Sequence, residues 1–111
     1  MKKLLLILLC LPFVGFGQKT YVPDDNFEAY LEANGVGDGI AFNDSVLTGN
    51  INTTVLLDLS SQNISDMTGI EDFIALTWLD CQYNQLSSLD LSQNTALTWL
   101  HCPYNQLSSL D

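Results

Sequence analysis

The sequence has 111 residues, enough for one domain, and 47% of them are hydrophobic, which indicates a globular rather than a disordered chain. Its 13 acidic residues stand against 3 basic ones, for a net charge of −10. This balance excludes nucleic acids as partners, because binding to phosphates depends on Lys and Arg, and the sequence contains no arginine.

The chain begins with a basic start and an apolar run, the layout of a secretory signal peptide. Two lysines precede the run from Leu4 to Phe16, and the small residues Gly15 and Gly17 fit a cleavage site before Gln18. The run is shorter than the roughly 20 residues that cross a bilayer. Residues 1–17 are therefore predicted to direct secretion or display at the cell surface, with no membrane insertion after cleavage.

Residues 18–50 do not repeat, and we expect them to form an N-terminal helical cap. Within them, Asp25 and Glu28 have the spacing of a capping box, apolar residues recur on one helical face, and Gly35 provides a stop. A stack of repeats needs its first apolar layer covered, which is the role predicted for this segment.

Residues 51–111 consist of repeats. The segment from Leu76 to Asp90 recurs 21 residues later, with changes only at His101 and Pro103. A looser unit starting at Leu57 precedes both at an offset of 22. The units fit the pattern L-x-x-L-x-L-x-x-N-x-L of leucine-rich repeats, and we count two recognisable units plus a truncated last one.

The spacing predicts how each repeat folds. Leu79 and Cys81 alternate with polar and aromatic residues, so a short strand points them inward. Asn84 turns the chain, and its amide can satisfy backbone groups at the bend. Later leucines return to the interior along the outer wall. The predicted fold class is an α/β repeat solenoid, with short parallel strands on a concave face and an N-terminal helical cap.

Two blocks resemble exported leucine-rich repeat proteins of gliding, Gram-negative bacteria, whose repeats are similar to those of internalins. The blocks are the start of the cap, Tyr21 to Glu28, and the segment Leu-Ser-Ser-Leu-Asp-Leu-Ser-Gln-Asn-Thr-Ala-Leu. The resemblance implies a secreted or surface-displayed protein, often delivered by a C-terminal sorting domain. The sequence stops at Asp111 inside a repeat, so we expect a truncated form whose last strand can associate edge to edge with another copy.

No constellation in the sequence predicts catalysis, a cofactor or a metal site. His101 is the single histidine and lacks a partner placed for a catalytic set. Asp38 and Asp44 fail the spacing of a calcium loop. Cys81 and Cys102 occupy equivalent positions of successive repeats. Three interpretations remain for the pair: a buried column of thiols, a disulfide, or the ligands of a soft metal.

The outward strand residues of the concave face are the candidate binding site. They are Trp78, Asp80, Gln82, Trp99 and His101. Exposed tryptophans beside polar groups are typical of binding surfaces. We therefore predict a non-enzymatic recognition or adhesion module with an extracellular protein or glycan ligand. The alternative is a repetitive structural spacer or stalk of a larger surface protein.

Overall fold

The computed structural model describes residues 18–110, so the predicted signal peptide lies outside the described residues. The elements in chain order are β1 (Lys19–Tyr21), α1 (Asp25–Ala33), β2 (Ser45–Leu47), α2 (Thr48–Ile51), β3 (Leu56–Asp58), a 3-10 turn (Ile70–Asp72), β4 (Trp78–Asp80), β5 (Ser88–Leu89), β6 (Trp99–His101) and β7 (Ser109–Leu110). Within residues 18–110, no helix has both the length and the apolar character needed to cross a bilayer.

Helix α1 is capped by Asp24, so the predicted capping box of Asp25 and Glu28 is wrong. Oδ1 of Asp24 accepts the backbone N–H groups of Asn26 and Phe27, both at 3.0 Å. These groups belong to the first helical turn, where no backbone carbonyl is available to them. Asp24 directly precedes the predicted Asp25, and its extended backbone places it at the N-cap position.

Several contacts join α1 to the repeats, and two of them involve Asp24 and Phe27. Oδ2 of Asp24 accepts the backbone N–H groups of Ser65 at 2.8 Å and Asp66 at 3.1 Å. The ring of Phe27 stacks on that of Phe73 with centroids 6.2 Å apart, and both side chains are fully buried. One cap residue and one aromatic pair are therefore among the contacts that hold the helix against the first repeat.

Glu28 takes no part in the helix cap. Its carboxylate is fully buried inside the N-terminal segment. Its two oxygens accept the backbone N–H groups of Asn43 at 3.1 Å and Asp44 at 3.0 Å. The helix ends as predicted, since Gly35 has a φ of +76°, a conformation that glycine adopts without strain.

The repeats form two parallel sheets, and the N-terminal segment adds an antiparallel one. Strand β4 lies between β3 and β6, and β5 pairs with β7. Strands β1 and β2 pair antiparallel ahead of them. Each parallel neighbour comes from the next repeat, as the offsets of 21 and 22 predicted. The short parallel strands of a leucine-rich-repeat-type fold are confirmed.

One apolar cluster runs through the N-terminal segment and the repeats. Its fully or nearly buried members from the repeats include Leu57, Leu59, Ile64, Ile70, Phe73, Leu76, Leu79, Cys81, Leu86, Leu89 and Leu91. Leu97, Leu100, Cys102 and Leu107 of the following layer are only partly buried. The predicted inward positions are therefore confirmed, and burial declines towards the last repeat.

Asn84 joins successive repeats through its side-chain amide. Oδ1 accepts the backbone N–H groups of Gln62 and Ile64, both at 3.0 Å. Nδ2 donates to the carbonyl oxygens of Leu59 at 2.8 Å and Cys81 at 3.0 Å. An amide carries both donors and acceptors, so one side chain satisfies four backbone groups where the strands end.

Asn105 occupies the equivalent place in the next repeat. Its Oδ1 accepts the backbone N–H of Leu86 at 3.0 Å, and its Nδ2 donates to the carbonyl oxygens of Cys81 at 2.8 Å and Cys102 at 3.2 Å. Asn84 is buried whereas Asn105 is half-buried. The turn role that the repeat pattern predicted for asparagine is confirmed at both positions.

Candidate binding surface

The outward residues of the three-stranded sheet lie in two files that cross the strands. The first file is Leu56, Trp78 and Trp99, and the second is Asp58, Asp80 and His101. This side of the sheet, together with Gln82, Tyr83 and Tyr104 beyond the strand ends, is called the open sheet face. The predicted register between repeats is confirmed for both files.

Two parallel aromatic stacks dominate the open sheet face. The rings of Trp78 and Trp99 lie 4.3 Å apart at an interplanar angle of 2°. Those of Tyr83 and Tyr104 lie 4.4 Å apart at 1°. Identical residues in register on strands about 4.8 Å apart place their rings face to face. Trp99 remains 41% exposed and Tyr104 67%, so the stacks are accessible to a partner.

The file between these stacks contains the carboxylates. Asp80 was expected to be an exposed outward residue, but it is only 7% exposed. Gln82 covers it, donating from its backbone N to Oδ1 at 3.1 Å and from Nε2 to Oδ2 at 3.0 Å. Asp58 is exposed, and both hydrogen bonds from Ser60 go to its Oδ1, from the backbone N at 3.2 Å and from Oγ at 2.6 Å.

The structure brings the candidate residues together in two groups. His101 is exposed, and its ring lies 5.6 Å from that of Trp99, which in turn stacks on Trp78. Asp80 and Gln82 bond to each other, as described above. Each predicted site residue therefore lies on the open sheet face, and Gln82 holds the Asp80 carboxylate in place.

Sequence reasoning missed Tyr30 as a neighbour of this face. Burial first, and then the charge of Asp58, raise the pKa of the Tyr30 hydroxyl, while a hydrogen bond with the backbone of Asp58 lowers it. Tyr30 belongs to helix α1, which is 28 residues away in sequence. Nothing in the helix pattern pairs a particular face with a particular strand, so this contact had no signal in the sequence.

A similar fold is found in a known protein structure. The chain is 42% identical over 75 residues to internalin J of Listeria monocytogenes serotype 4b (strain F2365). It also matches the solved structure of the functional domain of internalin J from Listeria monocytogenes, with a TM-score of 0.70 and 38% identity over 85% of this chain. The repeats of this chain are therefore similar to the leucine-rich repeats of an internalin. No protein-family model matches the sequence.

The likeness covers most of this chain but a small part of its relatives. The matched segment includes 68% of this chain and 8% of internalin J, and the structural match covers 21% of the solved chain. That solved domain is described as including a cysteine ladder. The internalin-like repeats of the present chain also place cysteines at equivalent inward positions.

Cys81 and Cys102 are unbonded thiols in adjacent repeats. Cys81 is fully buried and Cys102 is half-buried. Burial, helped by the neighbouring Cys102 and Asp80, raises the pKa of the Cys81 thiol from its ordinary 9.0 to about 12. A neutral buried thiol is a poor nucleophile, so this arrangement corresponds to the buried-column interpretation.

We expect the stability that Cys81 contributes to be lost in alkali. Below pH 9 its thiol is neutral in both the folded and unfolded states, so the contribution is fully present. Between pH 9 and about 12 the Cys81 thiol of the unfolded chain ionises, whereas that of the folded chain stays protonated. The free energy of unfolding, from urea titrations, should therefore fall more steeply with pH in this window for the parent than for Cys81→Ala. Identical slopes, or a disulfide in the unreduced folded protein, would contradict the buried neutral thiol.

Asp38 of the N-terminal segment already has partners within the chain. Burial alone would raise the pKa of Asp38, but hydrogen bonds from Asn43, the backbone N of Ile40 and Lys19 outweigh it and hold the pKa at about 2. Nζ of Lys19 lies 3.2 Å from Oδ2 of Asp38. An ammonium group therefore occupies the place next to Asp38 that a calcium ion would require.

Carboxylate oxygens of Asp25, Glu28 and Asp44 lie within 4.8 Å of one another. Both oxygens of Glu28 are engaged by backbone N–H groups, as described above. These donors account for the buried charge of Glu28 without any ion.

Proposed function

We propose that this protein is a secreted or cell-surface recognition module, non-enzymatic, that binds an extracellular protein through its open sheet face. The observation that carries the proposal is the pair of exposed, in-register aromatic stacks. Tryptophan and tyrosine provide large contact areas at low cost in side-chain entropy, and they are enriched at protein interfaces. The similarity to internalin J supports the same kind of role.

The wider architecture belongs to the same proposal. Residues 1–17 would be the signal peptide, residues 18–50 the N-terminal cap, and residues 51–111 part of a repeat solenoid. The bonds from Asp24 to Ser65 and Asp66 support the cap, because they attach the non-repeating segment to the first repeat. The parallel pairing of β3, β4 and β6 supports the solenoid, because each repeat adds one strand.

A structural spacer is the second candidate, favoured by the geometry of the same stacks. At 4.3 and 4.4 Å the facing sides of the rings cover each other, which also stabilises the wall of a repeat array. In that role the rings would pack against their neighbours along the array and would need no ligand. The two candidates differ in whether the exposed edges and outer faces of the rings contact a partner.

A binding screen separates the two candidates. The full chain is tested against a panel of purified extracellular proteins and an array of glycans, beside the double variant Trp78→Ala/Trp99→Ala. The matched control is Phe42→Ala, because Phe42 is a 66% exposed aromatic residue of the N-terminal segment. We expect a protein ligand whose affinity falls at least about tenfold in the double variant and is unchanged in the control.

Circular dichroism spectra verify that each variant is folded before binding is compared. A protein ligand retained by the folded double variant would contradict the proposal. The absence of any ligand would favour the spacer, and a ligand found only among glycans would replace the protein partner by a glycan.

A further inference from the structure

We infer that the open sheet face binds a positively charged segment of its partner protein, one that carries arginine side chains; this inference rests on the proposed function. It concerns the chemistry of the ligand, which the proposed function leaves open. Three features of the described residues support it, namely the charge of the face, the oxygen that Asp58 leaves available, and the spacing of the aromatic stacks.

The first feature is the charge of the open sheet face. Beyond residue 17, Lys19 is the single lysine or arginine against 13 carboxylates, a charge of −12. Nζ of Lys19 lies 3.2 Å from Asp38 in the N-terminal segment, so its charge is compensated away from the sheet. The open sheet face therefore carries carboxylates without a neighbouring lysine or arginine. A ligand with anionic sugars or phosphates would be repelled, whereas a cationic one would be attracted and guided to the face.

The second feature is the carboxylate oxygen that Asp58 leaves available for a ligand. Ser60 binds Oδ1 of this exposed carboxylate through two donors, which fixes the side chain and leaves Oδ2 for a ligand. Asp80, the next residue of the file, contributes charge, but both its oxygens are held by Gln82. A fixed carboxylate loses little conformational entropy when a guanidinium donates to it.

The third feature, the position of the aromatic stacks beside the carboxylate file, favours arginine over lysine in the ligand. The ring of Trp99 lies 5.6 Å from the ring of His101 in the carboxylate file, so the aromatic and polar files are neighbours. A planar guanidinium can stack on an exposed aromatic face and donate sideways to an oxygen, whereas an ammonium is a compact point charge. Asp58 on β3 lies two strands from Trp99 and His101 on β6, about 10 Å apart. One arginine therefore cannot contact both Trp99 and Asp58, and a segment with one arginine stacked on Trp99 and another bonded to Asp58 would span the face.

The experiment measures binding of the full chain to three labelled peptides by fluorescence anisotropy at low ionic strength. The peptides have the same length and alternate Arg-Gly, Lys-Gly or Gln-Gly. We expect the arginine peptide to bind most tightly, the lysine peptide less tightly and the glutamine peptide not at all. Affinity should fall as salt is raised, because exposed charges are screened.

Two substitutions test the location. Asp58→Asn should weaken binding of the arginine peptide about fivefold, the upper range for an exposed ion pair. His101→Asp restores the residue found at this place in the preceding repeat, and it should strengthen binding by a similar factor. Trp99→Ala should weaken binding of the arginine peptide more than that of the lysine peptide.

Asp90→Asn is the matched control. Asp90 forms the same turn as Asp58, accepting at Oδ1 from Ser92 N at 2.9 Å and Ser92 Oγ at 2.6 Å, but it follows β5 on the outer wall. The Ser92 hydroxyl lowers the pKa of Asp90, so Asp90→Asn removes one negative charge at neutral pH. We expect a much smaller loss of binding for Asp90→Asn than for Asp58→Asn.

Three results of the peptide experiment would overturn the inference. They are equal losses for Asp58→Asn and Asp90→Asn, binding of the glutamine peptide as tight as that of the arginine peptide, and binding to neither cationic peptide. An acidic or neutral ligand from the protein panel that requires Trp78 and Trp99 would also overturn it while supporting the proposed function. A panel without any ligand would count against the proposed function alone, since the peptides report on the charge of the face directly.

Discussion

Replacing Asn84 with alanine is expected to lower the free energy of unfolding by about 4 kcal/mol, because buried groups left without partners cost about 1–3 kcal/mol each. The amide bonds to two N–H groups and two carbonyls, those of Gln62, Ile64, Leu59 and Cys81. The site is only 7% exposed, so water cannot easily replace these bonds. The measurement is urea denaturation followed by tryptophan fluorescence.

Asn105→Ala is the matched control for Asn84→Ala. Asn105 makes the same kinds of bonds one repeat later, but it is half-buried. Water can replace part of what alanine removes, so the loss should be about half as large, near 2 kcal/mol. Equal losses at the two positions, or a loss below about 1 kcal/mol at Asn84, would show that the amide bonds contribute little net stability.

Phe73→Ala is the second substitution with a large expected effect, a loss of about 3–5 kcal/mol. Phe73 is fully buried, and its ring stacks on Phe27 of helix α1. Truncation removes apolar surface from the core and leaves a cavity between the helix and the first repeat. The neighbouring Ile74→Ala is the control: Ile74 is 60% exposed, so its loss should stay within about 0.5 kcal/mol.

Two probes of the same unfolding curve extend this measurement. Far-UV circular dichroism reports on α1, whereas fluorescence reports on Trp78 and Trp99 in the repeats. In the parent chain the two transitions should coincide, because Phe73 and Asp24 couple the segments. Separate transitions in the parent would mean that the N-terminal segment unfolds independently, and the cap proposal would fail with that result.

The repeat architecture follows directly from the sequence. A near-identical unit at an offset of 21, and a looser one at an offset of 22, mean that each residue meets its counterpart in the next repeat. The alternation of Leu79 and Cys81 with outward residues then fixes which side chains are buried. Register, inward positions and the turn role of Asn84 could therefore be predicted, because one local pattern is repeated and the strands have a fixed spacing.

The candidate surface was predicted in outline by the same logic. The files of Trp78 with Trp99 and of Asp80 with His101 needed only the register. The parallel ring stacking and the shielding of Asp80 by Gln82 needed side-chain conformations, which periodicity does not specify. For this reason Asp80, which the repeat pattern predicts to point outward, is nearly buried in the structure.

Only the tertiary structure decided how the non-repeating segment joins the repeats. Asp24 bonds to the backbone N–H of Asp66, 42 residues away, and Phe27 meets Phe73. Asp24 caps the helix through Oδ1, and its second oxygen reaches the repeat. Contacts between unlike segments have no counterpart elsewhere in the chain, so no repetition can indicate them. They are selected by the packing of a helix against a layer of side chains, where burial and hydrogen bonding of the whole arrangement determine which residues meet.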